Sequence, residues 1–109
     1  MLEEPEPIPK YDYLAHNCLA YARTKVKGLP TGLFDAKYLV TLPKKTPIEG
    51  GIVLQKYKQK DGTWLHHVSV IEELREDGIW VSESNFKKGE YGKRLIPYDS
   101  PSIVLFWNP

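Results

Sequence analysis

The chain has 109 residues, 41% of them hydrophobic, which fits one domain with a real apolar core and leaves no room for a second. Its 15 Lys+Arg and 14 Asp+Glu leave a net charge of +1, so no broad electrostatic bias draws it toward nucleic acid or an anionic membrane. The single cysteine excludes an internal disulfide, so packing must hold the fold, and the thiol is either an inert buried group or a reactive one.

In chain order, Pro5, Pro7 and Pro9 rule out a helix at the start, and residues 1–12 are expected to form an extended arm ahead of a single domain over 13–109. The opening stretch MLEEPEPIPKYDY is acidic and proline-rich where a secretory signal would be basic and then apolar. No long apolar run follows, so synthesis in a cytoplasm and no membrane insertion are expected. From Asn17 the pattern turns helical. Cys18, Ala22 and Val26 recur at four-residue spacing, and Gly28-Leu29-Pro30 supplies a stop. Asn17 is the favoured cap, which puts Cys18 in the first turn; Asp12 competes and would place Cys18 mid-helix. Phe34–Val40 reads as a further helical turn or two before Pro43 and Pro47.

The texture then changes. Ile52–Tyr57, Trp64–Ile71, Ile79–Phe86 and Ile103–Trp107 are β-branched or aromatic runs, and Asp61-Gly62 and Asp77-Gly78 read as hairpin turns between the first three. Helices first and strands afterwards indicate an α+β fold with an antiparallel sheet, not alternating βαβ units.

A thiol becomes a strong nucleophile when a helix N-terminus and a neighbouring imidazolium stabilise its thiolate. The strand around His66 and His67 can bring the imidazole, and alternation points the two rings to opposite faces. On the next strand Glu83 and Asn85 lie two residues apart, expected on one face, where either could orient the ring. A free cysteine is more often buried and inert, and a strand histidine is more often a surface group, so spacing alone leaves both readings open.

The order of motifs resembles a family. Asn-Cys-x-x-Tyr-x-Arg (Asn17 to Arg23), Pro-x-x-Gly (Pro47 to Gly50), His-Val-x-Val-Ile (His67 to Ile71), Ser-Glu-x-Asn-Phe (Ser82 to Phe86) and Arg-x-Ile-Pro (Arg94 to Pro97) follow one another as in the CHAP domains. These are cysteine- and histidine-dependent amidohydrolase/peptidases with a papain-like fold shared with NlpC-like cell-wall peptidases. The resemblance runs from about Asn17 to Trp107. It implies Cys18 as nucleophile, His67 as general base and then acid, Glu83 as the group orienting His67, and Asn85 as an auxiliary polar residue, with His66 left outside. The chain departs from the family at Gly50-Gly51, where Gly-Asp is usual, and at His66, where a small glycine is usual.

The resemblance further implies acyl transfer on an amide of bacterial peptidoglycan, as an N-acetylmuramoyl-L-alanine amidase or an endopeptidase of the stem or cross-bridge. The Cys18 backbone N–H is the natural first oxyanion donor, and Asn17, Tyr11 and Tyr13 are candidates for the second. No cofactor is required. Some relatives carry a calcium-binding acidic loop before the cysteine; here that region offers only Asp12, so no metal is expected. A phage lysin or a virion-associated lytic protein working within a larger assembly fits these features. The rival readings are a catalytically idle binding or structural module and a thiol amidase acting on a non-wall amide.

Overall fold

The computed structural model describes residues 12–30 and 35–109; apart from Asp12, the expected N-terminal arm lies outside the described residues, as does Phe34. The fold is α+β. A 3-10 turn at Leu14–His16 leads into helix α1, Cys18–Lys25, and a second 3-10 turn covers Ala36–Thr41. Five strands follow: β1 Ile52–Lys58, β2 Trp64–Arg75, β3 Gly78–Ser84, β4 Tyr91–Ile96 and β5 Ile103–Trp107. They form one antiparallel sheet in the order β4-β3-β2-β1-β5. Among the described residues no helix is long and apolar enough to cross a membrane, which says nothing of membrane-crossing strands.

Alternation along the strands gives the sheet two apolar faces. Ile52, Leu54, Val68, Val70, Leu105 and Trp107 form one cluster with Leu19, Ala22 and Val26 from the helical region and with Leu39. Val53, Ile71, Ile79, Val81 and Ile96 form a second, smaller cluster. The strands sit between these layers, so their register is fixed by burial on both sides.

Asn17 caps the helix, with its Oδ1 accepting from the Ala20 N–H at 2.9 Å. The competing signal at Asp12 starts the preceding 3-10 turn instead, where the Asp12 Oδ1 accepts from the Ala15 N–H at 3.3 Å. Asp12 also accepts from the Tyr91 hydroxyl at 2.7 Å, which ties this last residue of the expected arm to the sheet. Two boundaries differ from the sequence reading. β2 continues to Arg75, so the tight turn is Glu76-Asp77 and Gly78 already pairs with Arg75. β3 stops at Ser84, because Asn85 takes a left-handed conformation, φ 61°, that no strand can continue.

The Gly50-Gly51 step has a steric reason here. A Cβ at Gly51 would lie 2.7 Å from the Trp107 carbonyl oxygen, so a residue with a side chain has no space at this position.

The core makes opposite demands on two neighbouring residues. Leu39 is 0% exposed and Val40 46%. Leu39→Ala is expected to cost about 2–5 kcal/mol in urea unfolding, whereas Val40→Ala stays within about 0.5 kcal/mol. Equal effects would mean that the second 3-10 turn does not present the face described.

Candidate active site

Local chemistry decides where the thiol sits. Asn17 holds extended backbone, φ −146° and ψ 103°, and its capped helix begins at the next residue, so Cys18 occupies the first position of α1. A backbone N–H there has no intrahelical acceptor and points out of the helix end together with the positive end of the dipole. Cys18 is half-buried, packed against the larger apolar cluster, and is the one cysteine of the chain.

The imidazole comes from β2. His67 is 5% exposed and pairs across the sheet with Gln55 of β1. The registered pairing of β2 with β3 runs from Val70 and Ser82 to Arg75 and Gly78, so His67 lies beyond it, at the open end of the β2–β3 seam. α1 contacts both strands here, and Cys18 and His67 line one cleft, where the thiol acts on the imidazole electrostatically. The His67 Nε2–H donates to the Glu83 Oε1 at 2.9 Å. That nitrogen is thereby taken, and Nδ1 is left for the thiol.

Glu83, on β3, is 3% exposed and fully engaged. Its Oε1 also accepts from the Ser69 hydroxyl at 2.6 Å, and its Oε2 accepts from the Arg94 Nε–H at 2.6 Å. Arg94, on β4, is fixed in turn: its other two nitrogens donate to the Tyr57 hydroxyl at 3.1 Å and to the Gln55 Oε1 at 2.6 Å. The Gln55 amide then donates to the Ser102 hydroxyl at 2.7 Å. Phe86 covers this network, with its ring 3.7 Å beneath the Arg94 guanidinium and 5.4 Å from the His67 ring, centroid to centroid.

The electrostatics follow from these contacts. Burial alone would raise the Glu83 pKa, but the hydrogen bonds from His67, Arg94 and Ser69 outweigh it and bring the carboxyl from 4.5 down to about 2. Burial pushes the His67 imidazole down. The Cys18 thiol and the Glu83 carboxylate favour its protonated form more strongly, and the net direction is up from 6.5.

Cys18, His67 and Glu83 are thus brought together, and the other sequence candidates are placed differently. Asn85 lines the same cleft, but its Nδ2 donates to the His16 carbonyl at 3.1 Å and its Oδ1 accepts from the Gly89 N–H at 2.9 Å. It shares no strand face with Glu83, because β3 has already ended and the backbone has turned left-handed. Its amide therefore braces the segment before Cys18 and does not orient His67. His66 also lines the cleft, with its Nδ1 buried and without a hydrogen-bond partner among the described residues.

Among the oxyanion candidates, Asn17 lines the cleft, but its Oδ1 is spent on the cap and its Nδ2 donates to the Tyr13 hydroxyl at 3.0 Å. Tyr13 is 55% exposed and is not part of the cleft wall. Tyr11 lies outside the described residues. Ser69, Arg94, Gln55 and Phe86 were not singled out by sequence as site residues. The available signal was parity: Gln55, His67 and Ser69 lie on one side of their strands, with Glu83 and Arg94 completing that face.

The cleft itself encloses about 190 Å³, with Cys18, His66, His67, Asn17, Asp35 and Asn85 in its walls. Among the described residues no group of three or more His, Cys, Asp or Glu side chains is placed to hold a metal ion. No family model matches the chain, and neither a curated protein nor a solved structure matches it.

The lowered Glu83 pKa sets a pH dependence. The unfolded chain takes up the proton near 4.5 and the folded one only near 2, so Glu83 contributes stability above pH 4.5 that disappears as pH falls toward 2. His67 runs the other way, contributing below 6.5 and losing its contribution as pH rises through its raised pKa. In urea unfolding the stability gap between wild type and Glu83→Gln should therefore narrow from pH 5 to pH 3. A constant gap would mean that the carboxylate is not held ionised by its neighbours.

Proposed function

We propose that the protein is a thiol hydrolase that cleaves an amide bond of bacterial peptidoglycan, with Cys18 as nucleophile, His67 as general base and acid, and Glu83 as the residue that orients and charges His67. The observation that carries this reading is the position of His67, in one cleft wall with Cys18 and hydrogen-bonded on its other side to the buried Glu83 carboxylate. A buried ring used only for packing needs neither partner. The assignment to peptidoglycan rests on the likeness of the ordered motifs to the CHAP domains, and the papain-like form of the α+β fold belongs to the same proposal.

In the first half-reaction His67 takes the Cys18 proton, and the thiolate sulfur attacks the amide carbonyl carbon. The tetrahedral oxyanion is met by the Cys18 backbone N–H at the helix end. His67 then gives its proton to the amide nitrogen, the C–N bond breaks, and the amine leaves an acyl-Cys18 thioester. In the second half His67 deprotonates water, the hydroxide attacks the thioester carbonyl, and the thiol is regenerated with release of the carboxylic acid. Glu83 stabilises the imidazolium at each stage without itself taking a proton, consistent with its pKa near 2.

Digestion of purified peptidoglycan followed by mass spectrometry of the muropeptides tests activity and names the bond. Cys18→Ala should abolish turnover, His67→Ala should lower it by about 10⁴ or more, and Glu83→Gln by roughly 10²–10⁴. Asn85→Ala should be milder and His66→Gly should retain most activity, since neither contacts Glu83. Intact peptidoglycan after prolonged digestion would remove the wall assignment, and cleavage that survives Cys18→Ala would remove the thiol mechanism.

A further inference from the structure

The two imidazoles of β2 reach the Cys18 cleft from opposite faces of the sheet. His67 shares its face with Gln55, its partner on β1, and with Ser69. His66 pairs with Lys56 and by alternation shares the other face with Val68 and Val70, members of the cluster against which Leu19 and Cys18 of α1 pack. Both histidines line the cleft because it lies at the open end of the β2–β3 seam, where the registered pairing with β3 has stopped.

The acyl-transfer steps use His67 and leave His66 without a part. Its two ring nitrogens have different surroundings. Nδ1 is buried and has no hydrogen-bond partner. Nε2 makes no hydrogen bond among the described residues either, but it is not buried, and it is the cleft on which the ring opens. A neutral imidazole carries one proton, and here the two placements are not equivalent. On Nδ1 it would be a buried N–H without an acceptor, the costlier kind of orphan, whereas on Nε2 it meets water or a ligand. The neutral ring therefore holds its proton on Nε2 and turns a donor into the cleft. The side-chain amides in the same wall are engaged, Asn17 with the Ala20 N–H and the Tyr13 hydroxyl, Asn85 with the His16 carbonyl and the Gly89 N–H. Asp35, also in the wall, can only accept as a carboxylate, and its Oδ1 already takes the Lys37 N–H at 2.9 Å.

We propose that His66 is a specificity-determining residue of the cleft, donating from Nε2 to a carbonyl oxygen on the substrate residue next to the scissile amide. The inference rests on the hydrolase reading in one respect, that the ligand of this donor is the substrate cut at Cys18. A peptide stem carries a carbonyl at every residue, so an acceptor beside the scissile bond is always present. The carbonyl held by His66 is not the one under attack, so the bond is the same in the bound substrate and in the transition state. It sets affinity and leaves the rate of the bound complex unchanged.

The first test is the tautomer, read from the ¹⁵N shifts of the deprotonated His66 ring in the full chain carrying Cys18→Ala. A proton on Nε2 is expected, and a proton on Nδ1 would overturn the inference. The second is an NMR titration of the same chain with soluble muropeptides, released from purified peptidoglycan by a muramidase. Adding His66→Leu should weaken binding about fivefold, the worth of one neutral hydrogen bond. His66→Gln, whose amide nitrogen falls near the place of Nε2, should keep the affinity, and His66→Asn, whose nitrogen falls near that of Nδ1, should lose it as His66→Leu does. Equal affinity in all these chains, equal loss in His66→Gln and His66→Leu, or no saturable binding would each overturn the donor. With Cys18 restored, His66→Leu should raise KM about fivefold at nearly constant kcat, in keeping with the activity that His66→Gly retains at saturating substrate. A fall in kcat at constant KM would also overturn it, because the ring would then act only on the transition state. None of these failures touches hydrolysis at Cys18, whereas intact peptidoglycan in the digestion experiment removes the wall assignment and leaves the tautomer and the His66-dependent binding to be read as they stand.

Discussion

An ionised carboxylate buried at 3% exposure is the constraint on which the site depends. Taking one ion out of water costs several kcal/mol after relaxation, and only complete hydrogen bonding with an opposite charge offsets it. Glu83 meets that condition with Ser69 and His67 from β2 and Arg94 from β4. Gln55 and Tyr57 from β1 hold Arg94 in turn. Four adjacent strands are thus tied at one point, and a slip of one residue in any of them would turn its member of the network to the opposite face. The tautomer of His67, and with it the nitrogen left for Cys18, follows from the same carboxylate.

Nucleophile and base are positioned by different kinds of structure. The sheet fixes His67. Cys18 is fixed by the helix start, and that start is anchored by loops: Asn17 caps it, Asn85 holds the His16 carbonyl, and Tyr91 holds Asp12. Gly89 completes the anchorage. A Cβ there would come within 2.8 Å of the His16 Nε2, and its φ of +74° also favours glycine, so the turn can close onto the segment before Cys18. The two halves of the site meet where β3 has ended and left the flank of β2 at His67 open.

Much of this was legible in the sequence, for local reasons. The cap at Asn17, the position of Cys18 at a helix start, the strand bearing His67 and the alternation that separates it from His66 depend on neighbouring residues alone. β4 was not legible as a strand, because Tyr-Gly-Lys-Arg-Leu-Ile is a half-solvated edge whose polar residues hide the period. Arg94 was therefore seen only as part of a motif and not as the partner of Glu83. Asn85 was misplaced because alternation was carried one residue past the end of β3, where a left-handed turn cancels it. The Glu83 network itself joins residues far apart in sequence, and parity could suggest a shared face but not the pairing across strands.

The central claim is that His67 is charged by Cys18 on one side and by Glu83 on the other. The most direct test is a pH titration of the ¹⁵N-labelled His67 ring by NMR in wild type, Cys18→Ala and Glu83→Gln. The account predicts a His67 pKa above 6.5 in wild type and a lower value in each variant, since burial then acts against fewer partners. A His67 pKa that is the same in wild type and in Cys18→Ala would contradict it, because the thiol and the imidazole would then not be coupled.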